Sequence, residues 1–270
     1  MKKDQAGKVI RIILLLIVIY LLAGLFLYQY QSSVILRGTK LPRNYTFHFD
    51  YPFREFNLPL NDTDRLNMVL FEADSAKGVV VYFHGNTSNL VHFARYVPVF
   101  LQHRYDVLMM DYPGYGKSTG PNTEHDLYND ALVTYQLARS YFPADSIILY
   151  GKSLGTAMAS HIASLHPCRM LILECPLYNF DMLARRYFRI YPVSMLLRYH
   201  FPVYRFMQHT FGPVVIFHGK KDRVIPYRQA EKLKPYLKKG DEFITLPRGD
   251  HNDLYYQPLY QQVMDSLLSK

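Results

Sequence analysis

The stretch Ile147-Ile-Leu-Tyr-Gly151-Lys-Ser153-Leu-Gly155 decides the fold. Its first four residues are apolar without a break, as expected for a strand buried on both faces. Gly-x-Ser-x-Gly then ends the strand. Behind it, residues 154–165 are rich in Ala and other small residues and predict a helix. A strand-to-helix turn this tight needs small residues at Gly151 and Gly155. They let Ser153 occupy the apex, with its Oγ exposed above a helix N-terminus. A serine in a Gly-rich turn is by itself ordinary, so the flanking chain must supply the rest.

Apolar runs of the same kind recur on both sides, at 78–83, 107–110, 170–173 and 214–217, with a weaker one at 243–246. Short β-rich segments near 45–50 and 66–71 precede them. Helical patterns lie between the runs. Residues 89–102 carry Leu90, Phe93, Val97 and Leu101 on one face. Residues 124–141 follow Thr123, a good N-cap, and 253–268 close the chain. Strands alternating with helices predict a mostly parallel sheet with helices on both faces. Ligands of such sheets bind beyond the carboxyl ends of the strands.

Three further strand ends carry chemistry. The run 214–217 leads into His218-Gly-Lys-Lys-Asp222, which places an acid just past a Gly turn. The run 243–246 leads into Pro247-Arg-Gly-Asp-His251, and the run 78–83 into His84-Gly85-Asn86-Thr87. Alone, Asp222 reads as a cap or a solvated acid and His251 as a surface residue. Together, Ser153, Asp222 and His251 fall each at its own strand end, in the chain order of a nucleophile–acid–base triad. Acyl transfer also needs backbone N–H groups aimed at a developing oxyanion. The N–H groups of Asn86 and Leu154 are the expected donors.

On these residues the chain resembles the α/β-hydrolase superfamily over about residues 78–253. Asp111-Tyr-Pro-Gly-Tyr-Gly-Lys-Ser-Thr-Gly120 resembles the loop after its fourth strand, with Pro113 where many relatives have Arg, a difference that concerns loop packing. Membrane-anchored serine hydrolases related to serine-aminopeptidase-like lipases pair one N-terminal membrane helix with His-Gly-Asn and Gly-x-Ser-x-Gly, as here. The resemblance implies cofactor-free ester, thioester or lipase chemistry through an acyl-enzyme, with amides less favoured. A silent scaffold acting as a binding protein is the alternative. The resemblance also implies a cap in the insertion 177–212. That insertion holds ten Tyr or Phe and five Arg (185, 186, 189, 198 and 205), with Asp181 its only acid. It is expected to cover the site, and its basic aromatic surface also suits lipid head groups.

Residues 12–28 form a 17-residue run without a charge. At 1.5 Å per residue they span about 25 Å, and Val9 and Ile10 extend them past Arg11. Lys2, Lys3, Lys8 and Arg11 precede the run and favour a cytoplasmic N-terminus with the catalytic part on the other side, a bias weakened by Arg37, Lys40 and Arg43. Tyr20, Tyr28 and Tyr30 suit an interfacial belt, although Tyr20 falls inside the run. A cleaved signal peptide competes with this reading. Against it, the run is long and Gln29-Tyr30-Gln31 follows, with no A-x-A site. Leu25 after Gly24 excludes a lipoprotein signal. The expected organisation is an anchor over 1–30, a linker over 31–44 and one catalytic domain over 45–270.

Composition excludes other classes. The chain is 49% apolar and 20% charged, which rules out a disordered tail. Its net charge of +9 comes from scattered residues with no basic run, so no nucleic acid is expected as a partner. Gly116-Lys-Ser118 and Gly151-Lys-Ser153 mimic the end of a P-loop. The required earlier glycine is replaced by Asp111 and Ser146, so nucleotide binding fails. No Cys/His set has metal-ligand spacing. Cys168 and Cys175 flank an extended run that holds them too far apart for a disulfide.

Overall fold

The apolar runs pair into one eight-stranded sheet in the computed structural model, which describes residues 2–269; Met1 and Lys270, the outer ends of the expected anchor and domain, lie outside the described residues. The strands are β1 (Phe53–Pro59), β2 (Arg65–Phe71), β3 (Gly78–Phe83), β4 (Tyr105–Met110), β5 (Ile147–Lys152), β6 (Met170–Glu174), β7 (Val214–Gly219) and β8 (Glu242–Leu246). Their spatial order is β1-β2-β4-β3-β5-β6-β7-β8. β1 and β2 run antiparallel to each other, and β2 antiparallel to β4. The other neighbours are parallel.

The pleat divides the core in two. Along β3, Val79, Val81 and Phe83 join the cluster on one face, while Val80 and Tyr82 join the cluster on the other. Helices α2 (Glu124–Tyr141) and α3 (Gly155–Leu165) cover the first face, through Leu127, Ala131, Ala157 and Ile162 among others. The segment 90–101 and a C-terminal helix cover the second. α2 begins as expected at Thr123, which forms a reciprocal capping box with Asp126.

Three expectations change. Residues 45–50 form no strand; Phe47 and Phe49 instead stack on each other, and Phe49 packs edge-on against Phe71. The strand that does precede β2 is β1, whose mixed polar and apolar, half-buried to exposed side chains left no apolar run to find. The helix expected over 89–102 is broken into Leu90–Phe93, a 3₁₀ turn over Ala94–Tyr96, and Pro98–Leu101. Pro98 has no N–H to give the Ala94 carbonyl, which Val97 takes instead. The C-terminal stretch likewise splits into a 3₁₀ turn at Leu254–Tyr256 and a helix at Pro258–Leu268.

The insertion 177–212 carries three helices, α4 (Phe180–Tyr187), Val193–Leu196 and Val203–Phe206, between β6 and β7. The N-terminal helix α1 runs unbroken over Lys2–Ile35. Its stretch Gln5–Ile35 has the length and composition of a membrane span or a signal sequence. No break falls at residue 30. Ile35 and Leu36 belong to the core, and Arg37–Gly38 pairs in parallel with Thr87–Ser88, so the segment expected as a linker is stitched into the domain. Tyr20, inside the apolar run, contacts the insertion. Its ring stacks on Tyr191 at 4.6 Å and its hydroxyl donates to the Ile190 carbonyl at 2.8 Å, which satisfies its polar end within the apolar run.

Candidate active site

Ser153 follows β5 with a φ of 54°, a left-handed conformation that side chains rarely adopt. Its N–H donates to the Glu174 carbonyl at 2.8 Å, and its carbonyl accepts from the Thr156 N–H at 3.0 Å. The two elbow glycines permit this. A Cβ on Gly151 would fall 2.5 Å from the Gly155 oxygen, and one on Gly155 would overlap the Phe83 carbonyl. Close packing of α3 against β3 and β5 therefore requires both.

The structure brings the three expected side chains into one hydrogen-bonded chain. His251 Nε2 lies 3.0 Å from Ser153 Oγ, and His251 Nδ1 lies 2.7 Å from Asp222 Oδ2. Asp222 Oδ1 accepts from the N–H groups of Val224 and Ile225 at 2.9 and 2.8 Å. Burial disfavours its charge, but hydrogen bonds from His218 and His251 outweigh burial and hold the carboxyl well below the usual carboxylate range. A charged Asp222 fixes the imidazole with Nδ1 protonated, which leaves Nε2 free to take a proton from the hydroxyl.

The His84-Gly85-Asn86 turn lies against Ser153, whose Cβ is 3.7 Å from where a Gly85 Cβ would stand. Among the described residues, neither the Asn86 N–H nor the Leu154 N–H donates to a protein acceptor. Hydrogen bonds brace the turn. Tyr112 Oη donates to the His84 carbonyl at 2.7 Å and Tyr115 Oη to the Asn86 carbonyl at 2.8 Å. His84 Nε2 is 3.2 Å from Asp111 Oδ1. The 111–120 loop thus acts as a support for the turn.

Several groups escaped the sequence reading. Lys152, inside the elbow motif, is buried and ion-paired with Glu174, which also accepts from Tyr150 Oη. Burial opposes the lysine charge, but Glu174 overrides it and raises the Lys152 pKa above its ordinary value. Lys152 Nζ also reaches the His251 carbonyl at 3.3 Å. His218 Nε2 lies 2.9 Å from the Ile225 carbonyl and 3.3 Å from Asp222 Oδ2, a second imidazole on the same acid. The only sequence signals were a charged residue within Gly-x-Ser-x-Gly, an acid ending an apolar run and a His four residues before Asp222. Cys175, Asp222 and His251 form the one group of metal-type ligand atoms among the described residues. Burial pushes the Cys175 thiol far up, so it stays protonated and ligates poorly, and the His–Asp separation is that of a hydrogen bond.

A family model of the alpha/beta hydrolase fold matches residues 78–192. YfhR, an uncharacterized protein of Escherichia coli K12, is 27% identical over 73% of this chain and 72% of its own length. Human protein ABHD12B is 28% identical over 71% of this chain and 60% of its own. Mouse alpha/beta hydrolase domain-containing protein 17C is 27% identical over 72% of this chain and 60% of its own. The chain therefore spans about three fifths of these two mammalian relatives. An esterase from Pyrococcus furiosus superposes with a TM-score of 0.66 at 16% identity, covering 87% of this chain and 96% of the esterase. Est1E of Butyrivibrio proteoclasticus gives 0.60 at 16%, over 80% and 96% of the two chains. These two likenesses show a shared fold. The matched segment holds both the Ser153 elbow and the Asn86 turn, and with these likenesses it shows that this chain has the alpha/beta hydrolase fold.

Proposed function

We propose that this hydrolase-fold protein is a membrane-anchored serine hydrolase that cleaves an acyl ester or thioester. The hydrogen-bonded chain Ser153–His251–Asp222 carries the reading. Ser153 Oγ attacks the acyl carbonyl as His251 Nε2 takes its proton. The oxyanion is met by the free N–H groups of Asn86 and Leu154. The tetrahedral species then collapses to an acyl-enzyme, and His251 returns the proton to the leaving alcohol or thiol. Water, activated by the same imidazole, attacks next, and Ser153 leaves with the proton that His251 holds. Asp222 stabilises the imidazolium in both halves, and no cofactor or metal takes part.

α1 supplies the anchor, with its N-terminus cytoplasmic and the catalytic domain on the opposite side. The contacts of Tyr20 and Gln31 with the cap favour retention of the helix over cleavage. A fluorophosphonate probe tests the chemistry, because it labels only an activated serine. Labelling of the wild-type chain that disappears in Ser153→Ala supports the proposal. No labelling of either chain would leave a binding scaffold. Asn44-Tyr-Thr46 and Asn61-Asp-Thr63 are N-glycosylation sequons with exposed asparagines, and they test orientation. Glycans added to them in a eukaryotic secretory membrane place the domain in the lumen, and an unmodified chain reverses the assignment.

A further inference from the structure

We infer that α1 is one wall of an acyl-binding cavity that opens sideways into the bilayer, so that the substrate is the fatty acyl chain of a membrane lipid taken directly from the hydrocarbon. This rests on the anchored serine-hydrolase reading above.

A cavity of about 460 Å³ lies between α1 and the cap, a size typical of sites for small ligands. Leu27, Val34 and Ile35 form its helical wall, and Phe180, Leu183 and Leu196 form the facing one. The two amide side chains of the wall are already occupied. Gln31 Nε2 donates to the carbonyls of Tyr28 and Leu196 at 2.9 and 3.1 Å, and its Oε1 accepts from the Arg198 N–H at 2.7 Å. Asn86 Nδ2 donates to the Ile35 carbonyl at 2.9 Å. An apolar occupant therefore strands few of these groups. The cavity also reaches Asn86 and Val224, which border the proposed oxyanion donors and the Asp222 loop. The opposite rim is open, with Val34 50% and Tyr187 60% exposed.

Position along α1 decides what lies outside that rim. Tyr20, stacked on Tyr191, precedes Tyr28 at the end of the charge-free run by about 12 Å of helix. A hydrocarbon layer about 30 Å thick fits residues 9–28, leaving Lys8 outside it and Arg11 about 3 Å inside, near enough to snorkel to its edge. Sliding it along α1 to clear the cap would draw both charges inward, at substantial cost. The cap edge is therefore submerged. Ile190 (73% exposed) and Met195 (81%) are large apolar side chains that face outward on it, as suits lipid and not water. Gly24 permits the docking, since a Cβ there would stand 3.0 Å from the Tyr191 ring.

The test uses the full chain in phosphatidylcholine nanodiscs containing a little phosphatidylcholine with a diazirine in mid-chain. Ser153→Ala is used, so occupancy is read without turnover, and probe labelling of the wild type reports separately on the serine. Illumination is expected to crosslink lipid within residues 27–35 and 180–197. Ala184→Phe or Leu183→Trp, which fill the cavity, should lower those crosslinks at least fivefold while crosslinks to residues 9–19 persist. Crosslinks confined to 9–22, or unchanged by both variants, overturn the cavity. The chain has no Trp, so Ile190→Trp provides a single reporter on the surface. Mid-chain brominated lipid should quench it at least twofold. Quenching by aqueous iodide alone would overturn the sideways opening. A serine that fails to label while these crosslinks form would refute only the catalytic reading.

Discussion

Replacing Lys152 with Met removes a cation buried beneath the proposed nucleophile and base. Lys152 and Glu174 side chains are each 3% exposed, so the remaining carboxylate could not recover water. Breaking one partner of such a buried pair costs about 3–5 kcal/mol. Tyr150 Oη still donates to Glu174, which favours the lower half of that range. With a urea m-value of about 2–3 kcal/mol per M, the midpoint should fall by roughly 1–2 M. The double variant Lys152→Met/Glu174→Gln leaves no unpaired charge and should recover more than half of the loss. Activity should fall as well, because Glu174 holds the Ser153 N–H through its carbonyl and Lys152 contacts the His251 carbonyl. The assay is urea unfolding in mild detergent, beside turnover of a soluble ester well below the transition. A Lys152→Met midpoint within 0.3 M (roughly 1 kcal/mol) of wild type, or a double variant no more stable than the single, would refute the reasoning.

Ser153→Ala and His251→Ala should each lower kcat on a soluble ester by about 10⁴–10⁶-fold, and Asp222→Asn somewhat less. Wild-type rates in Asp222→Asn would move the acid elsewhere, to Asp250 or Asp253. Gly155→Ala should be severe because its Cβ overlaps the Phe83 carbonyl. Gly85→Ala should be mild, since its Cβ meets nothing nearer than 3.5 Å, and equal losses of folded protein would contradict this. Asp130 has a pKa raised to about 7, by burial first and then by Asp126 and Asp64. The folded state thus holds its proton more tightly than the unfolded chain, with pKa near 3.9, and this stabilisation is lost as pH rises from about 4 to 7. Asp130→Asn should accordingly raise Tm at pH 8 by several degrees, for about 2 kcal/mol relieved, and change it little at pH 4. Arg185, Arg186 and Arg189 are exposed on the cap. Changing all three to Gln in a chain lacking residues 1–30 should weaken co-sedimentation with anionic vesicles, by about 1 kcal/mol per residue in low salt, without altering turnover of a soluble ester. Unchanged co-sedimentation would remove head-group attraction from the role of the cap.

Much of the fold and site was legible because it rests on local pattern. A strand buried on both faces writes itself as an apolar run, and the backbone of the elbow demands glycine at fixed offsets from Ser153. Asp222 and His251 were legible because each directly follows such a strand, where the parallel sheet gathers its loop ends. β1 was hidden by being an edge strand, half exposed and held by pairing with β2. The break at Pro98 was visible as a residue, but its effect was lost behind the helical spacing of its neighbours. Only tertiary structure could pair Lys152 with Glu174, set a second imidazole on Asp222, or lay Tyr20 against Tyr191 across 171 residues of chain. Those contacts leave no periodic trace, because each depends on how elements pack in space. Residues 12–28 declared an apolar helix by composition alone, whereas the use of that helix as a wall beside the site was decided by the cap folding back against it.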